Sequence, residues 1–200
     1  MILLTAAIDS RYRFGELLNQ KRLLSKAVEI GTHRGTFAEK FLMQWSEGTY
    51  YGIDPWDNVP PDFVDQLQYL EGGGKDRAGD YTNARIALRP WTLRSRAELI
   101  KATSAEAVTR FKDGSLDFVY IDGDHSYKHV CEDLALYYPK LHSGGIMAGH
   151  DFMCPWEIKG GWAQFIQPAV FEFCNKHAIQ FVQLVVERDG SPYSFYFEKP

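Results

Sequence analysis

Two groups of residues in this chain have the types and spacing for chemistry, Asp122-Gly123-Asp124-His125 and Gly149-His150-Asp151. Carboxylates and imidazoles together can hold a divalent cation, and an imidazole with an ordinary pKa of ~6.5 exchanges protons near neutrality. Each group follows a short apolar run, Leu116 to Ile121 (LDFVYI) and Gly144 to Gly149 (GGIMAG), of the kind that forms a buried parallel strand. Neighbouring parallel strands present their carboxyl ends on one edge of a sheet, so both groups, placed where strand gives way to loop, are expected to meet in one crevice. For Asp122 and Asp124 a plainer reading stands alongside: either could cap the helix that starts near Ser126. His129 is read as part of a solvated helix face, and His142 and His177 as surface residues.

A third candidate is the turn Glu29-Ile30-Gly31-Thr32-His33-Arg34-Gly35, which joins the strand-like AVEI (27–30) to a helix. Glycine there lets a ligand approach the backbone, and the first turn of the helix presents free N–H donors. A G-x-x-x-G alone is weak evidence for a cofactor. Asp54 strengthens it: it ends the next strand-like run, TYYGI (49–53), where an acidic side chain can accept both hydroxyls of a ribose. A nicotinamide enzyme is disfavoured, because Thr32-His33 stands where its G-x-G-x-x-G fingerprint requires close glycine spacing.

These residues need a scaffold, and the surrounding pattern supplies one. Helices are expected at about Phe14 to Leu24, Thr36 to Trp45, Ala105 to Phe111, Tyr127 to Tyr138 and Trp162 to Asn175. Strands are expected at Ala27 to Ile30, Thr49 to Ile53, Glu98 to Ala102, Leu116 to Ile121, Gly144 to Gly149, Gln180 to Glu187 and Tyr193 to Glu198, with Asp189-Gly190 as a hairpin signal before the last. Such alternation is the signature of a doubly wound α/β sheet. The stretch from Pro55 to Arg96 interrupts it with Pro60-Pro61, Gly72-Gly73-Gly74 and Pro90, and reads as a cover or substrate insertion with helical pieces near Asp62 to Leu70 and Tyr81 to Leu88.

At 200 residues the chain suits one domain, 1–200, with a full core. A formal charge of −4 provides no basic footprint, which argues against nucleic acid as a partner. Three cysteines without C-x-x-C spacing suggest neither a disulfide framework nor a zinc knuckle. The start MILLTAAIDSRYR makes a poor signal peptide and no run approaches a membrane span, so a cytoplasmic location and no membrane partner are expected. Association into a homo-oligomer, through the amino-terminal helix or the late insertion, stays open.

The chain resembles the class I S-adenosylmethionine-dependent methyltransferases. EIGTHRG is similar to that family's E-x-G-x-x-x-G motif, GIDPW to its ribose-binding strand end and ATSAEA to the segment beside the adenine. The run from Asp113 to Phe152 resembles the branch that methylates small-molecule hydroxyls, typified by sugar, macrolide and catechol O-methyltransferases. The resemblance covers roughly Ala27 to Phe152 and implies a Rossmann-like, seven-stranded, mostly parallel sheet whose last strand is antiparallel. It implies S-adenosylmethionine as cofactor, with Glu29, Gly31, Thr32, His33 and Gly35 around its methionine part, Asp54 on the ribose, Pro55 and Trp56 flanking the adenine and Ser104 with Ala105 on its other side. Asp122, too, would border the cofactor.

In metal-dependent members of that branch, positions matching Asp122, His150 and Asp151 hold a divalent ion, and the position of His125 carries the general base. The family more often has a carboxylate where this chain has His150. Magnesium favours oxygen ligands, so the imidazole moves the expectation towards manganese, iron or zinc, or towards a site without metal. The expected partner is a small-molecule acceptor such as a sugar or polyphenol. The rival readings are a metal-dependent hydrolase built on the same Asp/His residues and a non-catalytic cofactor-binding protein.

Overall fold

The computed structural model describes residues 1–57, 77–153, 163–188 and 190–200. Strands β1 (Ile2–Thr5), β2 (Lys26–Ile30), β3 (Thr49–Asp54), β4 (Ala97–Lys101), β5 (Leu116–Ile121), β6 (Leu141–Met153), β7 (Phe181–Val185) and β8 (Tyr193–Glu198) form one sheet in the order β1-β7-β8-β6-β5-β2-β3-β4. Helices α1 (Phe14–Lys21), α2 (Thr36–Gln44), α3 (Arg77–Thr92), α4 (Ser104–Ala107), α5 (Tyr127–Tyr137) and α6 (Ala163–Lys176) cross over between strands. All pairs are parallel except those of β8, which runs antiparallel to β6 and β7. The doubly wound sheet and its antiparallel last strand agree with the sequence expectation.

The expected count of seven strands falls one short. Ile2–Thr5 pairs in parallel with β7, from Ile2 opposite Phe181 to Thr5 opposite Leu184. As an exposed edge strand, β1 lacks the buried, alternating pattern that marks a strand in sequence. Its place at the edge has a consequence for the site, because the chain then runs along the sheet and delivers residues 10–13 to its far rim.

Period-two alternation divides the core. Val28, Ile30, Ile53, Val119, Ile121 and Met147 face one layer with Val130, Leu134, Ile166 and Val170 of α5 and α6. Ala27, Tyr50, Phe118, Tyr120 and Ala148 face the other, against Phe14 and Leu18 of α1 and Phe41 of α2. All six residues of β5 are buried, as a central parallel strand covered on both faces requires.

Three elements differ from expectation in instructive ways. Helix α3 continues through Pro90 to Thr92, so it tolerates the loss of the one hydrogen bond that the Pro90 nitrogen cannot donate to the preceding turn. The expected Ala105–Phe111 helix is the four-residue α4 followed by a 3₁₀ turn, Val108–Arg110, started by a Thr103–Glu106 capping box. Strand β6 runs past Gly149 to Met153, because β8 still pairs with Met153 after β5 has ended at Ile121 opposite Gly149. The expected Asp62–Leu70 helix and the remainder of the cover at 58–76 lie outside the described residues, as do Trp156, Trp162 and Asp189. No helix among the described residues is long and apolar enough to cross a membrane.

Candidate active site

The glycine turn is interlocked with its neighbours through the backbone. Gly31 donates its N–H to the Ile53 carbonyl at 2.8 Å, and Asp122 donates to the Ile30 carbonyl at 2.8 Å. Gly31 has φ +90°, and a Cβ there would come within 2.1 Å of the Asp122 carbonyl oxygen. Glycine is thus demanded by the crossing of two strand ends as well as by a left-handed conformation. Gly35, at φ +79°, is the residue before α2 and donates to the Thr32 carbonyl at 2.8 Å. The buried Thr32 packs over Gly52, where a Cβ would meet its Oγ1 at 2.7 Å.

Asp54 fastens this turn to β3. Its carboxylate accepts the His33 N–H at 2.9 Å through one oxygen and the Trp56 N–H at 2.7 Å through the other. The Trp56 indole N–H returns to the His33 carbonyl at 2.8 Å, and its ring is buried against Tyr81, 4.7 Å between centroids. His33 and Arg34 turn outward to a shared partner, Asp80 of α3, at 3.2 Å and 2.6 Å. Sequence reading missed Asp80, whose only signal is an acidic residue in the first turn of a helix. Pro55 is half-buried beside Trp56. Ser104 and Ala105 follow β4 on the same rim as Asp54; Ala105 is exposed, and the Ser104 carbonyl accepts the Tyr137 hydroxyl at 2.9 Å.

Glu29 lies beneath the turn, fully buried, and accepts the Tyr50 hydroxyl at 2.6 Å. Burial pushes its carboxyl up to about 8, helped by the nearby charges of Asp122 and Asp54 and opposed by the Tyr50 hydrogen bond.

On the other side of the β2 and β5 ends, charged groups converge. His125 Nε2 lies 2.9 Å from Asp151 Oδ2 and 3.6 Å from Asp122 Oδ1. His150 Nδ1 lies 3.0 Å from the same Asp151 oxygen and 3.7 Å from Asp122 Oδ1. Adjacent residues of a flat strand point to opposite faces. Here Asp151 has φ +50° in an irregular part of β6, so both it and His150 reach one cluster. These two residues therefore sit in a bulge inside the strand rather than in the loop the sequence suggested.

Burial opposes charge on His125, but its hydrogen bonds to Asp122 and Asp151 outweigh this and raise it to about 10. Burial likewise works against the Asp151 anion, yet the two imidazoles hold its carboxyl well below the usual range. Asp124 serves the helix instead: it accepts the Ser126 N–H at 2.8 Å, while the Ser126 hydroxyl caps α5. His129 turns back to Ser126 and Asp124, so it is half-buried and not on a solvated face as expected.

Arg11 was invisible in the sequence. The 3₁₀ turn Arg11–Arg13, following β1, brings its guanidinium against His150 Nε2. A guanidinium only donates, so Nε2 must accept and the His150 proton sits on Nδ1, facing Asp151. An Nδ1–H cannot ligate a metal. The expected metal set of Asp122, His150 and Asp151 consequently does not fit this arrangement. The donor atoms that do group, within 4.8 Å of one another, belong to Asp122, His125 and Asp151. In that set His125 would be a ligand through Nε2, and an imidazole bound to a cation by that atom keeps its hydrogen on Nδ1 and cannot also take a proton.

The family model described as a methyltransferase domain matches residues 28–152, from β2 through Phe152 of β6, which takes in every site residue above except Arg11. A protein of Sinorhizobium fredii, y4gI, is 25% identical over 133 residues, 63% of this chain; the matched part spans only 13% of that protein's length. Among solved structures, a protein of Corynebacterium glutamicum is 15% identical with a TM-score of 0.65, covering 98% of this chain and 84% of its own. The O-methyltransferase of Bacillus cereus in complex with SAH is 15% identical, TM-score 0.59, over 97% and 84%. TomG of Streptomyces achromogenes, an O-methyltransferase involved in tomaymycin synthesis and bound to SAM, is 13% identical, TM-score 0.60, over 95% and 80%. At these identities the structures share the fold.

Proposed function

The chain belongs to the methyltransferase-domain family, and on that premise we propose that it transfers the methyl group of S-adenosylmethionine to a hydroxyl of a small-molecule acceptor. One observation carries the reading: a glycine turn stapled by Asp54 lies on the same sheet rim as the His125 cluster, joined to it by the Asp122–Ile30 backbone hydrogen bond. The donor-side residues suit the cofactor. A carboxylate accepts several donors, so Asp54 can hold ribose hydroxyls while keeping the turn in shape. Gly31 and Gly35 leave the backbone open, and the first turn of α2 offers N–H groups to the methionine part. Asp54 and Asp122 place carboxylates around a cofactor that is cationic at its sulfonium.

When bound, S-adenosylmethionine supplies a methyl group already activated for in-line displacement. What remains for the protein is to position the hydroxyl and remove its proton. His125 takes that proton on Nδ1, because Nε2, buried against Asp151 and Asp122, already carries the hydrogen it donates to them. The two carboxylates orient the ring and stabilise the imidazolium that results, and His150 with Arg11 holds Asp151 in place. Because the carboxylates also keep His125 protonated at neutrality, the neutral base becomes more abundant as pH rises. No step is assigned to a divalent ion, and the hydrolase reading, which needs one, loses its support with it.

The test separates the two sides of the site. Asp54→Ala is expected to weaken binding of S-adenosylhomocysteine, measured by calorimetry, by tenfold or more. His125→Ala is expected to retain that binding and lose methyl transfer to a hydroxyl acceptor such as catechol. The opposite pattern would refute the assigned roles.

A further inference from the structure

In proton removal Arg11 acts only through the single contact to His150, which leaves most of its guanidinium donors without a task. It is half-buried at the sheet rim, held by a segment that is itself tied down: the Arg11 N–H donates to the buried Glu187 at 2.6 Å. Its side chain meets an imidazole and a phenol. One terminal nitrogen contacts His150 Nε2, the other donates to the Tyr12 hydroxyl at 3.0 Å, and the guanidinium carbon lies 4.8 Å from the centre of the Tyr12 ring. Of the nearby carboxylates, Asp151 engages both imidazoles, Glu187 accepts from backbone, and Asp122 acts on the guanidinium only through space. Among the described residues no carboxylate oxygen lies within 4 Å of this guanidinium. Lys40 adds a second positive charge 4.0 Å from the Tyr12 ring.

A guanidinium half-withdrawn from water, with no carboxylate at ion-pair distance, is matched by a planar anion, which its donor fork can bind through two parallel hydrogen bonds. Two of its five N–H groups meet the His150 and Tyr12 contacts if each takes one. The position is as informative as the charge. Only the His150 ring and one Asp151 oxygen separate the guanidinium from Nε2 of His125. A small acceptor anchored at Arg11 by an anionic group would thus lie on the same rim as His125, with its hydroxyl directed to that ring.

We infer that Arg11 is an anchor for a carboxylate on the acceptor, so that the site methylates hydroxy acids in preference to neutral alcohols or phenols. The inference rests on the methyltransferase reading and narrows its substrate class. It also accounts for His150 standing where a carboxylate is usual: an acidic side chain there would neutralise Arg11, whereas an imidazole accepts one of its hydrogen bonds and leaves the charge in place.

Paired probes that differ in charge alone test it. The full chain saturated with S-adenosylhomocysteine would be titrated with 4-hydroxybenzoate and 4-hydroxybenzamide, and with glycolate and glycolamide. The Arg11 Nε–Hε resonance and the melting temperature would be followed. At least one acid should shift that resonance and raise the melting temperature, while its amide does neither. Arg11→Gln should weaken acid binding by about tenfold or more. Arg11→Lys, which keeps the charge without the fork, should lie between. If neither acid is distinguished from its amide, or if Arg11→Gln binds the acid as the unaltered protein does, the anchor is refuted. Failure of S-adenosylhomocysteine to bind at all would instead strike the methyltransferase reading, so the two failures can be told apart.

Discussion

The donor-side turn and the acceptor-side cluster lie on adjoining strand ends, yet they are held together by different forces. Around Gly31 and Asp54 the bonds are mostly between backbone groups, or between backbone and one carboxylate, and the steric fit is tight enough that a single methyl group would collide. Around His125 the bonds join side chains from β6, the end of β5 and the turn after β1, and charge does the positioning. A site for an invariant cofactor can be rigid. A site that must accept a proton, and whose acceptor differs from one relative to another, depends on groups whose charge and arrangement can change. Substitutions should therefore break the first region through stability and the second through rate and pH.

The largest effect is expected on the donor side. Gly31→Ala adds a Cβ against the Asp122 carbonyl in a left-handed conformation, and should cost roughly 3 to 5 kcal/mol of folding stability in urea denaturation. Gly35→Ala, whose nearest foreign contact would be 3.4 Å away, should cost much less. On the acceptor side, His125→Ala should reduce turnover by roughly a hundredfold or more while leaving S-adenosylhomocysteine affinity near its original value.

Proton linkage separates the regions further. Glu29 holds its proton to about 8 when folded, while an unfolded carboxyl near 4.5 gives it up earlier, so the folded state binds the extra proton in between. Stability should consequently fall as pH rises from about 4.5 to 8, by up to roughly 5 kcal/mol. Glu29→Gln keeps an oxygen for the Tyr50 hydroxyl and should remove that slope from melting temperatures measured across the range. His125 has the opposite charge type: raised from 6.5 to about 10, it contributes stability fully below 6.5, and the contribution is lost as pH climbs through 10.

The same shift governs the rate, so kcat/KM should increase with pH through the neutral range. Asp151→Asn, removing one of the two anions that sustain the imidazolium, should move the profile about one pH unit to the acid side. The smallest effect is expected from metal removal: a chelator such as EDTA should leave turnover unchanged within error, and restoration by added manganese after its loss would overturn the exclusion of a cation step.

The legibility of the two regions in sequence follows the same division. Glu29-x-Gly31-x-x-x-Gly35 and Asp54 are local patterns at strand ends, and local chemistry dictates them, so they were readable from residue types and spacing. Asp122 and His125 were readable for the same reason. His150 and Asp151 were found, but not their arrangement, because a bulge created by continued pairing with β8 is a long-range event. Arg11 and β1 carried no signal, since an exposed edge strand has no buried face to pattern and an arginine in a turn is ordinary until tertiary structure places it. Trp56 was legible as a neighbour of Asp54 but not as a buried ring whose N–H secures the His33 carbonyl.

The central claim, that this rim receives S-adenosylmethionine, is tested most directly by isothermal titration of the full chain with S-adenosylhomocysteine, with NAD as the control. One-to-one binding of S-adenosylhomocysteine and no heat from NAD is the predicted result. No binding of S-adenosylhomocysteine, or equal binding of both, would contradict it.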